Sequence, residues 1–193
     1  MRVKTLAAGA ALLFVSGRLA SPTSVVAPGF DDLVARAETV VVAEVVDIRS
    51  SWIQSRPGRA IVTDVTFAIE RTIKGRSYAQ RSLEFLGGTV GDVTLHVAGM
   101  PEFEIGDRDL LFIRDSGRPV SPVVGFMYGR FRIVRDARTG VEMIRTHDGR
   151  PVGSIADIRN GQPAAIVAPP RPLSLDEFVR AVAARVAALE RAR

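Results

Sequence analysis

His96 and His147 are the chain's only imidazoles, and cysteine is absent. A zinc site gathers three or four His, Cys or carboxylate ligands, and neither histidine sits in a spacing such as His-Glu-x-x-His, so no metal ligand is assigned. His96 lies between Leu95 and Val97 in an alternating run and reads as an outward strand residue; His147, with Asp148-Gly149, reads as a turn. A serine nucleophile needs a strained elbow of the Gly-x-Ser-x-Gly kind, and the sequence has none. Glu102, Glu104, Asp107 and Asp109 crowd around Gly106. They lack the strict ligand spacing of a calcium loop, and nothing in the sequence makes them converge as a glycosidase pair must, so they are expected to be solvated turn charges. No catalytic residue and no cofactor follows from these groups.

Gly87-Gly88 and Gly91 superficially suggest a phosphate loop. A phosphate cradle opens a helix, whereas the residues after Gly91 alternate like a strand, so tight turns or bulges are expected here. Loops between barrel strands rim the binding face, and glycine lets a backbone approach a ligand closely. Gly87, Gly88, Thr89, Gly91 and Asp92 are therefore the candidate partner-binding loop. Arg130 and Arg132 alternate with Phe131 and Ile133, which puts both guanidinium groups on one strand face; a solvent face is the expectation. Trp52 and Tyr128 fall at expected strand ends, where each could anchor a partner or seal the core.

The elements that must position these residues are mostly strands. Phe30, Leu33, Val34 and Ala37 repeat at i, i+3, i+4 and i+7, a short amphipathic helix. Thr39 to Ile48 is dense in β-branched residues and predicts a strand covered on both faces through its first half. Ile61, Val65, Phe67, Ile69 and Ile73 share one parity, a long half-buried strand pairing antiparallel with the one before it. Leu83 with Phe85, then Val93 to Val97, Leu110 to Ile113, Gly125 to Val134 and Val141 to Thr146 supply the rest. Residues 149–173 are rich in Pro, Gly and Ala and read as a loosely packed linker. Over residues 174–192, Ser174 and Glu177 form a capping box ahead of an apolar stripe of Leu175, Phe178, Val179, Val182, Val186 and Leu189. The expected fold is mainly β: a small OB-like antiparallel barrel, closed or partly open, over residues 30–148, with a short N-terminal helix and a C-terminal amphipathic helix.

Composition narrows the setting. Arg2 and Lys4 precede an apolar run from Leu6 to Val15, too short to span a bilayer, so residues 1–20 read as a secretion signal with its cleavage point between 17 and 27. The mature chain would then have no transmembrane segment and be periplasmic or extracellular. Arg2, Lys4 and Arg18 account for three charges of the formal +5, and the near-neutral remainder gives no electrostatic reason to expect nucleic acid. Of the 26 basic residues only Lys4 and Lys74 are lysine, a skew that reads as coding bias before phosphate recognition.

Several segments carry a resemblance: Ala37-Glu38-Thr39-Val40-Val41-Val42 with Ala43-Glu44-Val45, Thr63-Asp64-Val65-Thr66-Phe67, Ile73-Lys74-Gly75, Gly87-Gly88-Thr89-Val90-Gly91, Val97-Ala98-Gly99-Met100-Pro101-Glu102-Phe103, and Gly106-Asp107-Arg108-Asp109-Leu110-Leu111-Phe112. Through them the stretch from Ala37 to Val134, about half the chain, resembles a family of uncharacterised exported bacterial proteins. More remotely, the strand pattern is similar to the OB-type barrel of tissue inhibitors of metalloproteinases. Those inhibitors work through an N-terminal cysteine, absent here, so the likeness implies a fold and no mechanism. The expected function is an exported, non-enzymatic binding or structural domain engaging an envelope or extracellular protein. The alternatives are an envelope hydrolase or metal-dependent enzyme using His96 or His147, and a peptidase inhibitor-like module acting through Gly87 to Asp92.

Overall fold

The computed structural model describes residues 27–55, 58–116, 120–158 and 171–192. The expected secretion signal lies outside the described residues, as does residue 159–170 of the expected linker. Eight strands and two helices make the domain mainly β: α1 (Phe30–Arg36), β1 (Thr39–Gln54), β2 (Arg59–Lys74), β3 (Gln80–Leu86), β4 (Gly88–Val90), β5 (Val93–Leu95), β6 (Arg108–Ile113), β7 (Arg130–Arg135), β8 (Glu142–Thr146) and α2 (Leu175–Arg191). All pairs are antiparallel, in a six-stranded sheet of order β3-β2-β1-β6-β7-β8 and a separate β4–β5 hairpin.

The density of β-branched residues in the first half of β1 is used on both faces. Val40 and Val42 pack with Leu110, Phe112, Phe131 and Ile144 beneath the two helices. Val41, Ala43 and Val45 face the opposite side, with Val65, Phe67, Leu83, Phe85, Leu111 and Ile113. A bulge then changes the phase of β1. Val45 pairs with Phe67 but Asp47 with Thr66, so Val46 is an extra residue, and even-numbered Ile48 takes over the inward position. Leaving alternation intact would have turned Ile48 to solvent.

Both helices lie on the first face. In α1, Phe30, Leu33 and Val34 are buried, Asp31 and Asp32 favour the positive end of the dipole, and Lys74 Nζ donates to the carbonyls of Val34 (2.7 Å) and Ala37 (2.5 Å) at the negative end. In α2 the capping box forms as the sequence implies: the Ser174 N–H donates to Glu177 Oε2 (2.9 Å) and Glu177 N–H to Ser174 Oγ (3.3 Å). Its stripe buries Phe178, Val179, Val182 and Val186, and the Phe178 ring lies 4.9 Å from Phe131 and 6.0 Å from Phe30. Thus the helix expected to need cover finds it on the sheet.

Among the described residues no strand pair joins β3 to β8, so the sheet does not close into a barrel. The outer edge of β8 is instead covered by the chain itself. Ile144 N–H donates to Leu173 O (2.9 Å), Thr146 N–H to Arg150 O (2.9 Å) and Val152 N–H to Ile144 O (3.3 Å). Val152 is buried, and Ile155 and Ile158 pack on the helix-side core. Residues 149–158, read from composition as the start of a loose linker, are therefore pinned to the sheet edge. Composition reports how little apolar area a segment carries, and the hydrogen bonds through Arg150 and Val152, with that of Gly149 N–H to Thr146 O (2.9 Å) and one buried valine, suffice to pin it.

Candidate functional site

The second face of the sheet is open at one end, and two pieces of chain reach over it. One is the β4–β5 hairpin, which leaves β3 through Gly87. The other is the segment from His96 to Phe103, whose Met100 and Phe103 pack on the second core; the Phe103 ring stands 5.3 Å from Phe67 and 5.1 Å from Phe85. Between them and the sheet lies a cleft of about 370 Å³. Ile48, Val65, Phe85, Met100 and Phe103 supply its apolar lining, and Ser50, Thr63, Thr89 and Thr94 its hydroxyls.

Of the candidate loop, Gly87, Gly88 and Thr89 line this cleft, whereas Gly91 and Asp92 form the hairpin tip away from it. Gly88 is there for a steric reason. Its φ is +128°, and a Cβ would collide with Thr63 Oγ1 and come within 2.6 Å of Ser50 Oγ. Those hydroxyls are 2.8 Å apart, and Thr63 Oγ1 donates to Gly87 O (2.7 Å), so the glycine pair sits directly on them. The hairpin closes through Gly91 at φ +60°, the left-handed position a two-residue loop places first.

The histidines are not brought together. His96 stands at the cleft mouth, 74% exposed, with Nδ1 3.7 Å from Oε1 of Glu102, itself 85% exposed. His147 does not line the cleft; it meets Tyr128 edge-on at 5.4 Å, and burial pushes its imidazole pKa down. Trp52 lies near the end of β1 with the Arg59 guanidinium over its ring at 4.6 Å. Among the described residues no three His, Asp or Glu side chains converge to hold a metal ion.

Of the carboxylates around Gly106, Glu102 and Glu104 are exposed as expected, whereas Asp107 and Asp109 overturn their reading as solvated turn charges. Asp109 is 0% exposed on β6, in phase with Leu111 and Ile113, and Asp107 is 14% exposed. Arg130, expected on a solvent face, is 5% exposed between them: its Nη2 lies 2.7 Å from Asp107 Oδ2 and 2.9 Å from Asp109 Oδ2. The second contact is an ion pair without hydrogen-bond angles, so neither Asp109 oxygen receives a hydrogen bond and Arg130 Nε–H gives none. Arg130 Nη1 donates to the carbonyl of Glu102, and its guanidinium stacks over Phe103 at 4.3 Å. Arg132 adds a contact to Asp107 Oδ1 at 3.3 Å.

The two carboxyls respond in opposite directions. Burial drives Asp109 up to about 6 against the pull of Arg130. Burial also opposes ionisation of Asp107, but the Glu104 N–H and Arg130 outweigh it and hold that carboxyl below its ordinary value. Sequence reasoning missed Asp109 and Arg130 as a pair. The available signal was an acidic residue in phase with an inward apolar run, which a turn charge has no reason to be.

No protein-family model matches the chain, and searches of curated proteins and of solved structures give no match. Its function must be argued from the cleft.

Proposed function

We propose that the chain is an exported, non-enzymatic binding domain that takes an extended segment of a partner protein into the cleft between the β4–β5 hairpin and residues 96–103. The observation that carries this reading is the cleft's make-up: aromatic and aliphatic side chains below, threonine and serine hydroxyls around them. Its volume is at the low end for small-molecule sites and suits one or two apolar side chains of a peptide. Ser50 and Thr63, though bonded to each other, retain acceptor lone pairs for a peptide's N–H groups. Export is supported by Arg2 and Lys4 ahead of the ten-residue apolar run to Val15. A partly open barrel of the OB type agrees with the antiparallel order β3-β2-β1-β6-β7 and with the core enclosed on its inner face.

Selection of displayed peptides on the chain, counter-selected on Thr94→Trp, tests the site. Selected peptides should lose at least about tenfold in affinity on the variant, and their NMR shift perturbations should gather at residues 48–50, 63–65 and 85–103. Perturbations elsewhere, or no peptide that depends on Thr94, refute the reading. Residues 1–27 fused to a reporter that is active only outside the cytoplasm should give activity; silence of that reporter counts against export. One contact favours a second reading, an envelope hydrolase: His96 and Glu102 at the mouth. Retention of any hydrolytic activity by His96→Ala would remove it.

A further inference from the structure

We propose that Asp109 and Arg130 form a proton-controlled latch on one wall of the cleft, holding residues 99–104 closed more firmly when Asp109 carries a proton. The latch refines the cleft reading, because the wall it holds is built from Met100, Glu102 and Phe103.

Arg130 is the link between the wall and the buried carboxyl. One guanidinium binds the Glu102 carbonyl, stacks on Phe103 and pairs with both Asp107 and Asp109. Among the described residues no other side chain joins the wall to β6 in this way. The groups facing Asp109 can be named from every side. Asp107 comes from the 99–107 segment, and Arg130 and Arg132 from β7. On β1 its neighbour is Ala43, with Leu111, Val45 and Phe67 beside it, and farther along the same face lie Thr39 and Arg81, the latter paired with Asp115. Arg108 and its partners Glu70 and Glu142 occupy the other face of the sheet. His147 lies near enough to Arg130 for their charges to interact, and burial disfavours its protonation.

Lifting the wall would return Asp109 to water. There a carboxyl titrates near its ordinary value of about 3.9, whereas behind the closed wall burial raises it to about 6. A group with the higher pKa in the closed state takes up a proton on closing. The advantage of the closed wall is therefore complete below the open-state value and is lost as pH rises through the closed-state value. Over that window the ratio of closed to open should fall by up to about a hundredfold.

Hydrogen exchange by NMR on the full chain from about pH 5 to about pH 8, corrected for the intrinsic rate, reads this without a ligand. It can therefore fail while the cleft reading stands, and the reverse. The N–H groups of Met100, bonded to Val97 O, of Glu104, bonded to Asp107 Oδ2, and of Met127, bonded to Gly99 O, report the wall. Their protection should fall by up to about tenfold as pH rises over this range, with the midpoint set by the Asp109 carboxyl carbon in the same sample. The amides of Ile144 and Phe178 should not follow. Asp109→Asn should abolish the dependence, and His96→Gln should leave it, separating the latch from the His96–Glu102 contact. An Asp109 midpoint below about 4.5, protection that ignores pH, or a dependence that survives Asp109→Asn overturns the proposal. Should Asp109→Asn not fold, the wild-type midpoints of carboxyl and protection decide: coincidence supports the latch and divergence overturns it.

Discussion

Replacing Arg130 by Met tests whether the buried charge cluster is as consequential as its geometry implies. The substitution roughly keeps volume while removing the one cation that, among the described residues, pairs with Asp109, which is 0% exposed. Breaking a buried ion pair from one side costs about 3–5 kcal/mol, because the remaining charge loses its partner and gains no water. Loss of the stack on Phe103 adds roughly 1 kcal/mol. The cost should depend on pH. Asp109 has its pKa raised to about 6 in the folded chain, so its contribution is fully present below the unfolded value of about 3.9 and is lost as pH rises through 6. Protonated Asp109 needs no cation, so Arg130→Met should be costly at pH 7.5 and much less so near pH 5. Adding Asp109→Leu should restore most of the stability at pH 7.5, since an apolar pair in place of a buried ionic one is often neutral or better. Urea denaturation followed by circular dichroism at the two pH values gives all four corners of the cycle. A single-variant loss below about 1 kcal/mol at pH 7.5, or a double variant weaker than the single, would refute the argument.

The wild-type chain should lose about 2 kcal/mol of Asp109's contribution between pH 4 and pH 6.5; Asp107 and Glu70, the latter held low by its hydrogen bond to Arg108, gain theirs lower, as pH rises toward their unfolded values of about 4, so titration of Asp109→Asn against wild type isolates the term. Gly88→Ala combines a φ of +128° with a collision on Thr63 and should cost more than the roughly 1–3 kcal/mol of backbone strain alone, whereas Gly91→Ala at the open hairpin tip should cost about 1–2 kcal/mol; thermal unfolding ranks them. Phe178→Ala removes the ring that touches Phe30, Phe112 and Phe131 and should lose roughly 3–5 kcal/mol in urea denaturation. On β3, which no strand covers on its outer edge among the described residues, Glu84→Val should raise light scattering on standing at high concentration, because a charge that guards an open edge is gone.

How much of this was legible depended on whether a feature is local. The capping box at Ser174 and the stripe ending at Leu189 are settled within a few residues, so the sequence predicts α2 and its buried face. The alternation of Val65, Phe67 and Ile69 likewise announces β2 and its inward side. What alternation lacks is any record of partners: it says which way Val134 and Met143 point but not that β8 is capped by Arg150, Val152 and Leu173 rather than by β3. The closed form of the barrel is lost on that point. The cleft was half legible, because the glycines imply close backbone approach, while Met100 and Phe103 lie in a stretch that Gly99 and Pro101 mark as a break. Asp109 was misread because the residues before it, Ile105-Gly106-Asp107, mark a turn, while its neighbours in space are Ala43 and Arg132 across two ladders.

The placement of that cluster also bears on how β7 finds its register. The ladder between β6 and β7 is only three pairs long: Asp109 with Arg132, Leu110 with Phe131, and Leu111 with Arg130. So short a ladder specifies register weakly by hydrogen bonds alone. A slip of two residues would keep every side chain on its own face, so apolar patterning would not forbid it. In one direction it would carry Arg132 into Arg130's place opposite Leu111, and in the other it would set Arg130 opposite Asp109, so a guanidinium stays beside the buried carboxylate while Arg130 itself leaves its contacts with Glu102 and Phe103. A chain without disulfides has no covalent tie to correct such a slip. Burying an ion pair contributes little net stability, so the cluster opposes such a slip only through contacts specific to Arg130, its hydrogen bond to the Glu102 carbonyl and its stack on Phe103. The same guanidinium also holds the wall of the cleft through Glu102 and Phe103.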